Sequence, residues 1–338
     1  MTRRWGIALL VVALTATAAY ALASGLGSDG DAGAAAGPGS LEVDADALVA
    51  QRLAAPLLVR TIDERAPLGD GRLVELSSKG DARQVGQLAC KRVHAVAGGP
   101  GLCLGLDETG VDYDGVVFDD RYRERRRFPI DGIPDRARVS PDGRYGAYTS
   151  FDERGAVGYF AGTSKFTTYT RVVDMRTGKP VLRLEDLRLS LRGQPLDSSS
   201  ANLWGVTFAG GGRFYATAAL TGVYYLIEGE LGSARARVVR ERVECPALSP
   251  DGTRIAYKRR IGDDNRWRYH VLDLASGRDV ALAERRSVDD QPEWLDDDTI
   301  VYSDDRDLFA VPADGGGRPV RLAAGATSPA ALGAGGGS

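Results

Sequence analysis

The sequence predicts an all-β fold assembled from a repeated four-stranded antiparallel unit, on three observations. From Leu41 onward helical periodicity is scarce, and short runs of β-type residues take its place. Two segments are near copies, VSPDGRYGAYTS (139–150) and LSPDGTRIAYKR (248–259). A second signal recurs downstream, a strand, an Asp-x-x-x-Gly type of turn and a further strand: RVVDMRTGKPV (171–181), YHVLDLASGRDV (269–280) and LFAVPADGGGRPV (308–320).

Composition agrees with a folded chain and narrows its chemistry. The 338 residues are 43% hydrophobic and 26% charged, enough apolar material for a real core. A net charge of -3 excludes a global basic field for nucleic acid. Two His and three Cys exclude most zinc frameworks and any disulfide-dense scaffold.

Arg3 and Arg4 precede 18 uncharged residues, 6–23, that end in Ala21-Leu22-Ala23. Residues 1–23 therefore read as a cleaved signal peptide or an uncleaved signal anchor, and both place the remainder of the chain outside the cytoplasm. No Cys precedes Cys90, so a lipid-modified N-terminus is excluded. Residues 24–40 read as a flexible linker and 333–338 as a disordered tail, by composition.

PLLVRTI (56–62), GRLVELSS (71–78) and RQVGQLA (83–89) supply three strands before the first full repeat. The repeats, anchored on the residue ahead of each turn, start at Val96, Val139, Phe208, Leu248, Trp294 and Ala331, at spacings of 43, 69, 40, 46 and 37. In the SPDG copies, Asp-Gly supplies the positive φ of a tight reversal. The interval of 69 holds two insertions, 152–168 and 185–201. A period near 40 to 50 with four strands per unit is that of a β-propeller. The last start has no room for a blade, and the N-terminal strands lack one member. The C-terminal strand is therefore expected innermost in the N-terminal blade, giving a six-bladed propeller over 41–332.

SPDG with its flanking strands resembles the WD40-like Pro-Asp repeat of TolB-like six-bladed propellers. More narrowly, ACKRVHAVAGGPGLCL, LWGVTF, ECPALSPDGTRIAYK and RSVDDQPEWLDD resemble an exported TolB-like family of high-GC bacteria. The resemblance implies the propeller fold and an envelope location, and no reaction. The family's namesake carries an α/β domain ahead of its propeller that is not seen here, so a Tol–Pal role is not implied.

No nucleophile elbow, catalytic dyad or phosphate loop is legible. Ser164 in AGTSKF lacks the second Gly, and His94 and His270 read as strand residues of blades 2 and 5. Asp142, Asp251 and Asp296 to Asp298 read as turn caps. Asp289 and Asp290 precede an innermost strand and are expected at the channel mouth, where they could bind a ligand or calcium. RYRERRR (121–127) reads as charge guarding a sheet edge. The insertions carry Tyr159, Phe160 and Phe166, then Asn202 and Trp204, and blade 5 adds Asn265, Arg266 and Trp267. Exposed over a rigid ring these would form a recognition surface, while Trp204 and Trp267 could instead pack between blades.

Cys90 and Cys103 lie 13 residues apart. A plain hairpin turning at Gly98 to Gly101 leaves them too far apart for a disulfide, whereas a bulge or offset strand would join them. The family resemblance includes both cysteines, and the pairing stays open on the sequence alone. Cys245 reads as a buried small side chain.

The expected function is a monomeric, exported or membrane-tethered, non-catalytic scaffold that binds a protein or cell-envelope ligand through its loop face. It is expected to need no cofactor, to bind no nucleic acid, and to meet the membrane only through its N-terminal segment. The alternative is a calcium-dependent, lactonase-like hydrolase with Asp289 and Asp290 as ligands.

Overall fold

The computed structural model describes residues 41–62, 70–152, 167–262 and 265–333. The signal and linker regions, the tail beyond 333, and Tyr159, Phe160 and Phe166 lie outside them. Each repeat folds because its turns are locally determined. In the SPDG copies the serine hydroxyl accepts the N–H five residues on, Tyr145 and Arg254, both at 2.9 Å. The aspartate accepts a second N–H, Arg144 at 3.1 Å and Thr253 at 2.9 Å. Gly143 and Gly252 take the positive φ, 68° and 73°, that completes the reversal. Asp174 and Asp273 cap the second turns, accepting the N–H groups of Thr177 and Ser276 at 2.8 and 2.7 Å.

These turns join strands into six sheets. Named from the axis outward, blade 1 is Ala326–Ala331, Leu57–Thr61, Gly71–Leu76 and Ala82–Cys90. Blade 2 is Arg92–Ala95, Gly101–Leu106, Tyr113–Phe118 and Glu124–Ile130. Blade 3 is Ile133–Val139, Tyr145–Phe151, Thr168–Asp174 and Pro180–Arg183. Blade 4 is Asn202–Phe208, Arg213–Leu220, Val223–Glu230 and Arg235–Glu241. Blade 5 is Glu244–Leu248, Arg254–Arg260, Trp267–Asp273 and Asp279–Ala281. Blade 6 is Glu293–Trp294, Thr299–Asp304, Asp307–Pro312 and Val320–Ala324. Consecutive innermost strands touch all the way round, so the sheets form a closed six-bladed propeller. The C-terminal strand closes it as the sequence predicts, with Leu57 opposite Ala331 and Thr61 opposite Ala326.

Burial follows the blades. Each boundary between neighbouring blades holds its own apolar cluster, such as Leu102, Val117, Tyr148 and Val173 between blades 2 and 3. Tyr269, Trp294 and Tyr302 pack between blades 5 and 6. Apolar faces that a lone sheet would expose are thereby covered on both sides.

Three features depart from the plain repeat. Glu42–Val43 pairs with Val320–Ala324 as a fifth strand of blade 6. A short helix, Ala45–Ala50, then crosses to blade 1, capped by Asp44, which accepts the Ala47 N–H at 2.9 Å. The insertion at 185–201 does not rise over the loop face. It forms a hairpin, Arg188–Leu191 with Gln194–Leu196, whose first strand adds parallel to Arg235–Glu241 on the outside of blade 4.

Candidate functional site

An innermost strand pairs on one side only and turns unpaired backbone groups toward the axis. Side chains of neighbouring blades fill that need at every boundary. Ser328 of blade 1 both accepts from the Val93 N–H and donates to its carbonyl, each at 3.0 Å. The Val139 N–H of blade 3 donates to His94 Nδ1 at 3.1 Å. Thr168 and Thr170 donate to the Leu203 carbonyl of blade 4 at 3.0 and 2.6 Å. Thr207 accepts from Leu248 of blade 5 at 3.1 Å, Trp294 Nε1 of blade 6 donates to Ala247 at 2.8 Å, and Ser303 accepts from Ser328 at 3.1 Å. The ring is stitched by side chains as well as packed.

At the end where the inner strands begin, charge replaces hydroxyls. Arg136 in blade 3 is buried and lies 2.7 Å from Asp135, 3.8 Å from Asp289 and 3.9 Å from Asp290. Burial works against its charge, but these carboxylates outweigh it and hold the guanidinium well above its ordinary range. Arg92 reaches Asp135 at 3.3 Å and Asp290 at 3.8 Å. Lys258 pairs with Asp289, and Arg138 with Glu293. Burial also pushes the Glu244 carboxyl up, against the pull of Lys258 and Arg260. Gln291 Nε2 donates to the carbonyls of Val206 at 3.3 Å and Pro246 at 2.9 Å, tying blade 6 to blades 4 and 5. The cavity that remains beside Arg92, Arg136, Arg138 and Asp290 measures about 30 Å³, room for ordered water.

This geometry places the candidate residues. Asp289 and Asp290 do come together at the axis, but as partners of Lys258, Arg92 and Arg136. Calcium needs six to eight oxygens. Here cationic groups stand where the metal would, and among the described residues no group of three carboxylate, His or Cys side chains could hold one. The residues do not fit calcium.

Of the two readings of Trp204 and Trp267, an exposed recognition surface or packing inside the propeller, the structure departs from the first, since both are buried, at 8% and 7% exposure. Trp204 meets Tyr224 edge-on, with centroids 6.0 Å apart. Trp267 Nε1 donates to Glu244 at 3.0 Å, while Lys258 Nζ lies 4.7 Å from its ring. Both indoles therefore build the wall of the mouth, where burial of the ring outweighs exposure. Asn202 is half-buried and its Oδ1 accepts the Thr168 N–H at 3.2 Å, joining blades 3 and 4. Asn265 and Arg266 are exposed on the rim. The arginine run at 121–127 pairs with Asp114, Asp119 and Glu124 at the outer edge of blade 2.

Cys90 and Cys103 form a disulfide, with Cα atoms 5.4 Å apart. The bridge joins two blades rather than two strands of one hairpin. Cys90 ends the outermost strand of blade 1, and Cys103 lies opposite Val93 in blade 2. A register shift between Arg72 and Val74 lets that outer strand swing inward, and Gly86 at φ 63° serves the bend. Sequence reasoning missed Arg136, Arg138, Glu244 and Glu293. Their signal is charge inside otherwise apolar inner strands, as in IPDRARV.

An all-β closed ring of six four-stranded blades defines the class: a six-bladed propeller. Among solved structures the fold is that of the TolB propellers. The TolB structure from Acinetobacter baumannii matches at a TM-score of 0.58 and 14% identity, over 82% of this chain and 67% of that one. A chain from a nidogen/laminin complex matches at 0.52 and 12% identity, over 82% and 99%. No family model and no curated protein matches the sequence.

Proposed function

We propose that the protein is an extracytoplasmic, non-catalytic scaffold that receives a protein or cell-envelope ligand on the face where the inner strands begin. The self-neutralised mouth carries this reading. Each acid described there pairs with a cation or a buried donor, which supports a binding rather than a catalytic reading. The side chains of Arg92, Asp135 and Asp289 remain partly exposed, at 22%, 23% and 28%. A rigid ring with a mixed-charge rim suits recognition rather than turnover. A chain of similar fold occurs in a complex between two proteins, nidogen and laminin, which supports a protein partner.

Export is supported by the sequence at 6–23 and by the Cys90–Cys103 disulfide, a bond that persists outside a reducing cytosol. Among the described residues no helix is long and apolar enough to cross a membrane.

The test is affinity capture from envelope extract. Wild type should retain a specific partner that a variant loses when 153–166 is replaced by a short Gly-Ser linker and Asn265 and Arg266 become alanine. Equal capture by both proteins would reject the loop face as the binding surface.

A further inference from the structure

Away from the axis, a second cavity of about 480 Å³ opens between the outer strands of blades 4 and 5. Arg192, Arg240, Arg242 and Arg259 line it, against Asp279 and Glu241. Four guanidiniums facing two carboxylates make a local excess of positive charge in a chain whose net charge is -3.

The cationic groups divide into two kinds. Asp279 organises the floor: it accepts from Tyr257 Oη and Arg240 Nη2 at 2.8 and 2.9 Å, lies 3.3 Å from Arg259 Nη1, and meets His270 Nδ1 at 2.8 Å. Its Oδ2 takes three of these contacts and its Oδ1 the fourth, and it holds two guanidinium planes in place. Arg192 and Arg242 stand on the rim, and no side-chain hydrogen bond or ion pair engages either among the described residues.

Both rim arginines also occupy backbone positions that suit glycine or asparagine. Arg192 has φ 51° at the tip of the inserted hairpin, ahead of Gly193, and Arg242 has φ 64° in the link between blades 4 and 5. Left-handed backbone is costly for a long side chain, and such residues gather at functional sites. The hairpin contributes nothing to closure of the ring, yet it carries Arg192 to this cavity.

We propose that the cleft between blades 4 and 5 binds a phosphate-bearing ligand, with Arg240 and Arg259 fixed by Asp279 as its floor and Arg192 and Arg242 closing on the ligand's oxyanion. Guanidinium forks match phosphate geometry, and the volume suits a pyrophosphate-sized group with a small organic substituent. This site is independent of the loop-face reading.

The test is calorimetric titration of full-length protein with inorganic pyrophosphate, linear polyphosphate and citrate at low and high salt. Wild type should bind pyrophosphate, more weakly at high salt. An Arg192→Gly/Arg242→Gly double variant should bind at least tenfold more weakly while its melting temperature holds or rises, because glycine relaxes both positions. Tighter binding of polyphosphate would assign the ligand to a polymer, and equal binding per phosphate to a small molecule. Absence of phosphate binding, citrate binding as tight as pyrophosphate, or unchanged affinity in the double variant would each overturn the proposal.

Discussion

His94 carries two jobs on one ring. Its Nδ1 accepts the Val139 N–H at 3.1 Å, and its Nε2 lies 3.0 Å from Arg138 Nη1 and 3.5 Å from Glu293 Oε1. Burial first, and then the Arg138 guanidinium, hold its pKa well below the usual 6.5. Below pH 6.5 the unfolded chain therefore takes up a proton that the folded ring refuses, and stability falls with acidification. One such group contributes up to about 1.4 kcal/mol per pH unit. His94→Gln keeps an acceptor for Val139 but cannot titrate. Urea melts from pH 5 to 8 should show a shallower acid loss for the variant, at a cost of about 1 kcal/mol at pH 7.5 from the imperfect hydrogen bond. His270, whose pKa burial also lowers, titrates in both proteins and cancels in the difference. Parallel pH profiles would refute the assignment.

Elements are held to one another by links that repeat around the ring, and blades 1 and 2 add a covalent one. The disulfide closes a short loop, so its removal should cost about 3 kcal/mol. Cys90→Ala with Cys103→Ala should lower the melting temperature by several degrees, and reductant should lower wild type toward the variant without moving the variant further. An equal response of both to reductant would remove the bridge from the stability argument. The sequence made the blades legible because turns such as Ser140-Pro-Asp-Gly close within six residues. The hairpin at Arg188–Leu191 was not legible, because its parallel partner, Arg235–Glu241, lies more than forty residues further along the chain. The mouth was half legible. Proximity to an inner strand located Asp289 and Asp290, but only the ring brings Lys258 of blade 5 and Arg136 of blade 3 against them. For Trp204 and Trp267 the sequence left exposure and packing both open, and the contacts with Tyr224 and with Glu244 and Lys258 decide for burial.

The whole ring depends on its first and last described strands meeting the same boundary. Glu42–Val43 pairs with blade 6 and Ala47 and Leu48 fill the gap beside blade 1, while Ala326–Ala331 arrives from blade 6 to become the inner strand of blade 1. The two attachments are unequal. Loss of the C-terminal strand would bare the Leu57–Thr61 edge and sever the Ser328 links to Val93 and Ser303, so two boundaries would fail together. A chain ending at Gly325 should lose its single cooperative unfolding transition and aggregate through the exposed edge. Of the described residues, a chain starting at Asp44 loses the paired Glu42 and Val43 and the packing of Leu41, keeps the helix, and should unfold cooperatively with a drop of about 1 to 2 kcal/mol. A synthetic peptide spanning 326–332 should restore the melting transition of the shortened protein by strand addition, as a donated strand would. If the chain ending at Gly325 melted within a few degrees of wild type, closure by the C-terminal strand would not be what holds the ring.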